Sequence, residues 1–478
     1  MSIKRFVTGM LTGLAVAAAV AYAVNKISHT AKQSTPAEPD APDAGEASTR
    51  PRVVIVGGGF AGLTATQTLA HAPVDITVLD RTNHYLFQPL LYQVALGQLA
   101  PTDITAPLRW IVHNQRNVRV ILGEAVSVDA DRKLVVVDEG GGPSTKIPYD
   151  YLLLATGARH SYFGHPEWEA LAPGLKTMDD ALEIRRRFLT AFERAEDAGD
   201  RAEADGFLTF AIVGGGPTGV ELAGLLVDIA HNTLRKDFHR IDTSRTRVML
   251  LEGGSRLLSS FPPELSARAQ ADLERFGVEV RLNTLVTNIE PDAVYVGEER
   301  IPTRTVFWAA GNEASPLARS LGVPVDKVGR LIVERDLSVP GHPEIFAAGD
   351  VVIFDQDGAP VPGVAPAANQ QGHAAAENIA RSIVGEERVP FRYFDKGNLA
   401  TIGRQSAIAD FGFLRVAGPL AWWLWLFVHI MYLVGFRNRA NVLFEWGYAY
   451  LANQRGARLI THIGRGPKSK AARKKQPA

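Results

Sequence analysis

With 478 residues and 46% hydrophobic content, the chain is too long for one ordinary core and has ample apolar material for two or three domains. Its 51 Lys plus Arg balance 51 Asp plus Glu, so no global field favours nucleic acid. The absence of cysteine excludes structural disulfides, thiolate-held iron–sulfur clusters and redox-active cysteine pairs, and the 12 histidines show no HxxxH or HExxH spacing, so any redox chemistry is expected to use a bound organic cofactor.

The N-terminus reads Lys4-Arg5, an uncharged Ala/Val/Leu-rich run at 6–25, then Lys26. Roughly 20 apolar residues at about 1.5 Å each cross the hydrocarbon core, so residues 1–27 are expected to form an uncleaved membrane anchor, a transmembrane helix. A secretory signal cleaved near Ala21 or Ala23 is the competing reading, and basic residues on both flanks leave the orientation open. Residues 28–51 are polar and rich in Pro, Ala, Asp and Glu without a periodic apolar face, which predicts a flexible linker.

Alternating strands and helices begin abruptly at Arg52. RVVIVG (52–57) and DITVLD (75–80) are short buried strands flanking a turn and a helix, and YDYLLLATG (149–157) is another strand, ending in small residues. FLTFAIVGGG (207–216) restarts the pattern, RVMLLE (247–252) supplies its second strand, TVFWAAG (305–311) echoes YLLLATG, and EIFAAGD (344–350) adds one more. Repeated strand–helix–strand units imply parallel sheets with right-handed crossovers. Their order predicts an α/β fold of two Rossmann-like dinucleotide-binding domains, one inserted in the other. The first would comprise 52–170 and 331–390, the second 171–330, and 391–478 would form a membrane-associated helical extension with a basic tail.

Gly57, Gly59 and Gly62 have the GxGxxG spacing: the first allows a tight turn, the second lets the backbone approach a pyrophosphate, and the third lets helix and strand pack closely. The helix that starts there aims unpaired N–H groups and a positive dipole end at phosphates. Asp80 closes the next strand, where a carboxylate can bind ribose hydroxyls. The second turn has Gly214, Gly216 and Gly219, with Glu252 closing RVMLLE. Its glycine-to-acid separation is longer than the usual span of about 20 residues, which predicts an extra element near 225–241. An acid at that position repels a 2′-phosphate and favours NADH over NADPH, although Arg256 is close enough in sequence to soften the exclusion; a Glu that merely caps its strand is the alternative. The flavin's nucleotide must also contact the final AAGD segment, where Asp350 would reach its ribityl or phosphate groups. Gly57, Gly59, Gly62, Asp80, Gly157 and Asp350 are therefore expected to hold FAD, and Gly214, Gly216, Gly219 and Glu252 to hold NADH. Two bound nucleotides make hydride transfer from nicotinamide to flavin the natural reaction. Secretion would part such a chain from cytosolic NADH, which favours the anchor reading of residues 6–25.

GGGFAGL, NHYLFQPLLYQVALG (83–97), GGGPTGVELAG, AAGDVV, APAANQQG (365–372) and WWLWLFVHIMYLVGFRNR (422–439) together resemble the type II NADH dehydrogenases, single-subunit NADH:quinone oxidoreductases, over about residues 52–465. The glycine turns are shared by many flavoproteins; the QPLLY, NQQG and aromatic segments are more specific. The resemblance implies FAD held tightly without covalent attachment, NADH as donor, a quinone as acceptor, no proton pumping and a homodimer. It also implies that Glu221, just inside the second glycine helix, lies near the flavin and holds the nicotinamide or relays a proton. Gln370 and Gln371 would line the quinone end, with Gln370 orienting a quinone carbonyl. The family often has a glutamine where this chain has Pro366, so quinone hydrogen bonding must fall to Gln370, a backbone N–H or another group. A helix-start glutamate that only stabilises the helix dipole is the bland alternative for Glu221.

Composition points the same way. A cysteine-free flavoprotein cannot reduce an acceptor through an internal disulfide, which leaves a small diffusible acceptor or one dissolved in the bilayer. Between Arg415 and Arg437 no residue is charged, and Trp422, Trp423, Trp425, Phe427 and Tyr432 suit the headgroup boundary. Gly418-Pro419 interrupts the run, so interfacial attachment is expected rather than a span, with Arg437, Arg439, Arg455 and Arg458 pairing to lipid phosphates and Lys468, Lys470, Arg473, Lys474 and Lys475 facing an anionic surface. A buried dimer-interface helix is the alternative for this stretch. The expected location is the cell membrane, with the catalytic part on the cytoplasmic face. The competing functions are a soluble-type flavoprotein reductase of a ferredoxin or rubredoxin and a membrane-tethered NADH sensor.

Overall fold

The computed structural model describes residues 49–140, 142–452 and 456–460; the apolar run at 6–25, most of the linker, Arg455 and the basic tail lie outside these described residues. The chain begins a parallel sheet with β1 (Arg52–Val56), whose last four residues are all buried. β1 is flanked in parallel by β2 (Asp75–Asp80), which in turn pairs with β3 (Val118–Leu122), and on its other side by β4 (Tyr151–Leu154). Burial on both faces of β1, β2 and β4 explains why these three read as continuous apolar runs rather than alternating ones. The chain then leaves along β5 (Ala158–His160) and builds a second parallel sheet from β6 (Thr209–Val213), β7 (Arg247–Leu251), β8 (Val278–Arg281) and β9 (Thr305–Trp308), in the order β8-β7-β6-β9. It returns along β10 (Asn312–Ala314), antiparallel to β5. β11 (Ser338–Val339) and β12 (His342–Ala347) complete the first sheet, in the order β11-β12-β4-β1-β2-β3. One α/β unit is thus inserted in another, with the β5–β10 ribbon as the crossing.

Eight helices position the site. α1 (Phe60–Thr68) follows β1, and the short α2 (Leu91–Ala95) carries most of the LLYQVA segment. α3 (Met178–Glu196) starts at a capping box in which Thr177 and Asp180 satisfy each other's amides. α4 (Pro217–Asp228) follows β6 and continues into a π-type turn (Ile229–Thr233) and 3₁₀ turns at Leu234–Lys236 and Thr243–Arg245. These turns are the extra element expected from the long spacing to Glu252. α5 (Pro263–Phe276) packs beside the second sheet, and α6 (Ala365–Ile383) packs along α1.

The C-terminal part is an antiparallel sheet, β13 (Asn398–Gly403), β14 (Ser406–Asp410) and β15 (Arg415–Gly418), followed by α7 (Pro419–Tyr432) and α8 (Phe436–Ala452). It grips both halves. Against the second half, β13 crosses α4 at Gly224, where a methyl would stand 1.7 Å from the Ile402 carbonyl oxygen, and Ser406 donates to buried Asp272 of α5 at 2.6 Å. Against the first half, the Trp446 indole donates to Gln93 of α2 at 2.7 Å, and Asn438 donates to the Thr105 carbonyl at 2.9 Å. Among the described residues no helix is long and apolar enough to cross a membrane. The 14 residues of α7 would reach only about 21 Å at 1.5 Å each, short of a hydrocarbon core about 30 Å thick.

Candidate active site

The two glycine turns have the same geometry, and in each the first and third glycines are required. Gly57 (φ 104°) and Gly214 (φ 109°) adopt left-handed backbone, and a methyl on Gly62 or Gly219 would stand 1.8 or 1.9 Å from the carbonyl oxygen of Gly57 or Gly214. The acids that follow are tied to the turns. Asp80 accepts from the Gly58 N–H at 2.7 Å and, with its other oxygen, from the Thr82 N–H and hydroxyl. Glu252 accepts from the Gly215 N–H at 2.5 Å and the Gly254 N–H at 2.6 Å. Each carboxylate therefore fixes the loop that would cradle a pyrophosphate. Arg256 donates to the Phe261 and Ser259 carbonyls, which commits its guanidinium to its own loop instead of a 2′-phosphate.

Strand order gives each site a direction. Asp80 and Glu252 end the strands on one side of β1 and β6, so adenosine belongs there, and the reactive half of each dinucleotide belongs on the other side, over β4 and β9. Those two strand ends run directly into the β5–β10 ribbon, where Ala158 pairs with Ala314 and Arg159 forms a 2.6 Å ion pair with Glu313. Both reactive halves are thus directed to one junction.

The first site fits a flavin nucleotide. Open space lies where methyls on Gly59 and Gly157 would point, and the buried Thr156 hydroxyl, one residue before Gly157, has no partner within the protein. The junction holds a cavity of about 200 Å³, lined by Ala158, Gly349, Asp350, Val364 and Gln371 among others. Asp350 opens onto it with the Lys176 ammonium at 4.0 Å. Lys176 is a residue that sequence reasoning missed. Its own carbonyl accepts from Gln88 of the QPLLY segment at 3.0 Å, so this segment braces the cation beside Asp350. Arg185 of α3, itself buried, donates to the Val94 and Leu99 carbonyls and braces the same segment; burial pushes the pKa of its guanidinium down to about 10.

Both glutamines are engaged with backbone. Gln371, on the cavity wall, is 3% exposed, and its carbonyl oxygen accepts from the Gly349 N–H at 2.7 Å, fastening the AAGD turn. Gln370 pairs with the Phe394 backbone, donating to its carbonyl at 3.0 Å and accepting from its N–H at 2.9 Å. It thereby fixes the 394 segment, while its amide keeps a second N–H and a second lone pair.

Glu221 lies one turn into α4, where α4 meets α2 from the first half and β13 from the C-terminal sheet. The residue as a whole is half-buried. Desolvation pushes its carboxyl up to about 8, against the opposing pull of the Thr401 backbone amide. A carboxyl held neutral near pH 7 can donate a proton, which a glutamate that only capped the helix dipole could not do while ionised. His429 of α7 stacks on Trp425 at 4.2 Å and meets Phe87 edge-on at 6.3 Å, and burial pushes its pKa down to about 4, so it is neutral.

The aromatic stretch splits by face. Leu420, Trp423, Phe427 and Met431 form an exposed stripe along α7, 62%, 62%, 58% and 41% exposed, whereas Trp425 is 2% exposed and packs on Trp446. Trp425 is therefore a core residue and not a headgroup anchor. Arg458 pairs with Asp237 and Arg439 donates to the Leu433 carbonyl, while Arg437 remains exposed.

The pyridine nucleotide-disulphide oxidoreductase family matches residues 51–372, and the NDH2 C-terminal domain matches residues 396–454. The chain is 45% identical over 426 residues to the type II NADH:quinone oxidoreductase NdhA of Mycobacterium tuberculosis, covering 86% of this chain and 90% of the relative. It is 42% identical over 424 residues to the type II NADH:quinone oxidoreductase Ndh of the same organism, again covering 86% and 90%. Among solved structures, NDH2 from Plasmodium falciparum in complex with NADH superposes with a TM-score of 0.76 at 20% identity, covering 85% of this chain and 99% of that one. The sulfide:quinone oxidoreductase of Aquifex aeolicus superposes with a TM-score of 0.62 at 21% identity, covering 86% and 96%.

Proposed function

Because the chain belongs to the pyridine nucleotide-disulphide oxidoreductase family and, within it, to the type II NADH:quinone oxidoreductases, we propose that it passes electrons from NADH to a membrane quinone through FAD, without pumping protons. The family's disulphide chemistry has no counterpart here, since the chain contains no cysteine. The observation that carries the reading is the convergence of both glycine-turn sites on the β5–β10 ribbon.

The residues divide the work. Gly57, Gly59, Gly62 and Asp80 hold the pyrophosphate and ribose of FAD, Gly157 and Thr156 face its flavin half, and Asp350 with Lys176 closes the ribityl side. Gly214, Gly216, Gly219 and Glu252 hold NADH, with the paired acid disfavouring a 2′-phosphate. When bound, FAD supplies the electron-pair chemistry, accepting hydride from nicotinamide and yielding two electrons to the quinone. Glu221 holds a proton for the quinone side, and Gln370 fixes the 394 segment next to α6.

The described residues attach to the membrane at its surface through the exposed α7 stripe, with Phe444 of α8 and Phe413 of the β14–β15 loop, 72% and 91% exposed, adding apolar surface, alongside the anchor expected at residues 1–27. Arg437 remains placed for lipid phosphates, and the same face also suits a second copy of the chain in a homodimer. A catalytic part on the cytoplasmic side of the cell membrane has direct access to NADH. Trp423→Asp combined with Phe427→Asp is expected to lower co-sedimentation with anionic vesicles at least about tenfold, since each buried aromatic contributes about 2 kcal/mol. NADH oxidation by ferricyanide should persist in that variant; vesicle binding equal to the unaltered chain would remove α7 as the anchor. The reading as a whole is tested with the purified holoenzyme: a short-chain quinone analogue should be reduced by NADH, and a ferredoxin should not.

A further inference from the structure

On leaving the first half along β5, the chain makes a tight turn at residues 162–165, closed by the His165 N–H donating to the Tyr162 carbonyl at 3.0 Å. Both central residues have positive φ, Phe163 at 51° and Gly164 at 94°. Glycine adopts this backbone freely, whereas a bulky aromatic residue is strained in it. Burial does not explain the choice, because Phe163 is 66% exposed. Strain that persists without a packing return marks a position held for another purpose.

The ring is held in a defined place. It lies over Gly311, where a methyl would stand 2.6 Å from its Cζ, and 6.1 Å from the Trp308 ring. The floor beneath it is fixed: the Trp308 indole donates to the Ser161 carbonyl at 3.0 Å, and the Ser161 N–H donates to the Gly311 carbonyl at 3.3 Å. Gly311 is two residues beyond Ala309, whose carbonyl a methyl on Gly214 would meet at 2.7 Å, so Phe163 stands at the β9 edge of the second glycine turn. With Glu252 marking the adenosine side at β7, that edge is the nicotinamide side.

We propose that Phe163 is the outer wall of the nicotinamide pocket, its exposed ring covering the nicotinamide–ribose half of a dinucleotide bound at the second glycine turn. This rests on the assignment of NADH to that turn. A flat aromatic face suits both the dihydropyridine ring and the cationic pyridinium that replaces it after hydride loss.

The test is Phe163→Gly in the full-length, FAD-loaded enzyme, with Phe163→Tyr as the conservative partner. Phe163→Gly should raise KM for NADH and the Kd for NAD+, measured by calorimetric titration, about tenfold. FAD content and KM for the quinone should not change, and Tm should hold or rise, because glycine suits the turn. Phe163→Tyr should restore both NADH terms. An NAD+ affinity and KM for NADH within twofold of the unaltered enzyme would overturn the proposal, as would a fall in Tm with loss of FAD, which would make the ring a structural plug. An unaltered enzyme that binds no NAD+ would overturn the underlying assignment instead.

Discussion

Gly62→Ala is expected to yield folded protein without flavin, whereas Gly219→Ala should keep its flavin and lose the ability to have it reduced by NADH. The two substitutions meet the same obstacle, a carbonyl oxygen 1.8 or 1.9 Å from the added methyl, so each turn must open by more than an ångström. Overpacking of this kind costs up to about 3 kcal/mol, roughly 100-fold in affinity for whatever the turn holds. Because the chemical change is identical, each variant controls for loss of stability in the other. The ratio of flavin to protein absorbance and the NADH-dependent bleaching of that flavin separate them. Flavin lost from both variants, or from Gly219→Ala alone, would dissolve the division of labour between the turns.

Glu221→Gln is expected to slow reoxidation of the reduced enzyme by quinone on the order of 100-fold while leaving reduction by NADH close to normal, the scale typical of a lost general acid. Its carboxyl, pushed up to about 8 by burial, is protonated over most of the neutral range. Quinone turnover should therefore fall as pH rises through about 8 in the unaltered enzyme and be flat there in the variant. Stability follows with a definite sign. The folded state holds this proton at pH values where the unfolded chain, with an ordinary carboxyl near 4.5, has released it, so stability falls as pH rises from about 4.5 to about 8. Glu221→Gln removes that slope and should raise Tm above pH 8. Equal quinone turnover and an unchanged pH profile would reduce Glu221 to a helix-start residue.

The strands and both glycine turns were legible because β-branched runs ending in GxGxxG have little structural freedom. The extra turns after α4 were legible as excess length before Glu252. Side-chain commitments across long separations were not. Nothing near Gln371 announces that its oxygen is taken by Gly349, 22 residues away, or that Phe394 occupies Gln370 from 24 residues away. Lys176 reaches Asp350 only because the inserted half folds back on the first. The tryptophans carry a different lesson: Trp423 and Trp425 are two positions apart, about 200° around a helix, so one faces out and the other packs on Trp446. The positive φ of Phe163 had no signal, since only glycine reliably advertises that backbone.

Anaerobic stopped-flow at the flavin absorption band tests the central claim most directly, with NADH added first and a quinone analogue second. NADH should bleach the flavin rapidly, NADPH should do so far more slowly because Glu252 closes the ribose site, and the quinone should restore the oxidised band in a single turnover. A flavin that NADH leaves oxidised, or a reduced flavin that quinone fails to reoxidise, would contradict it.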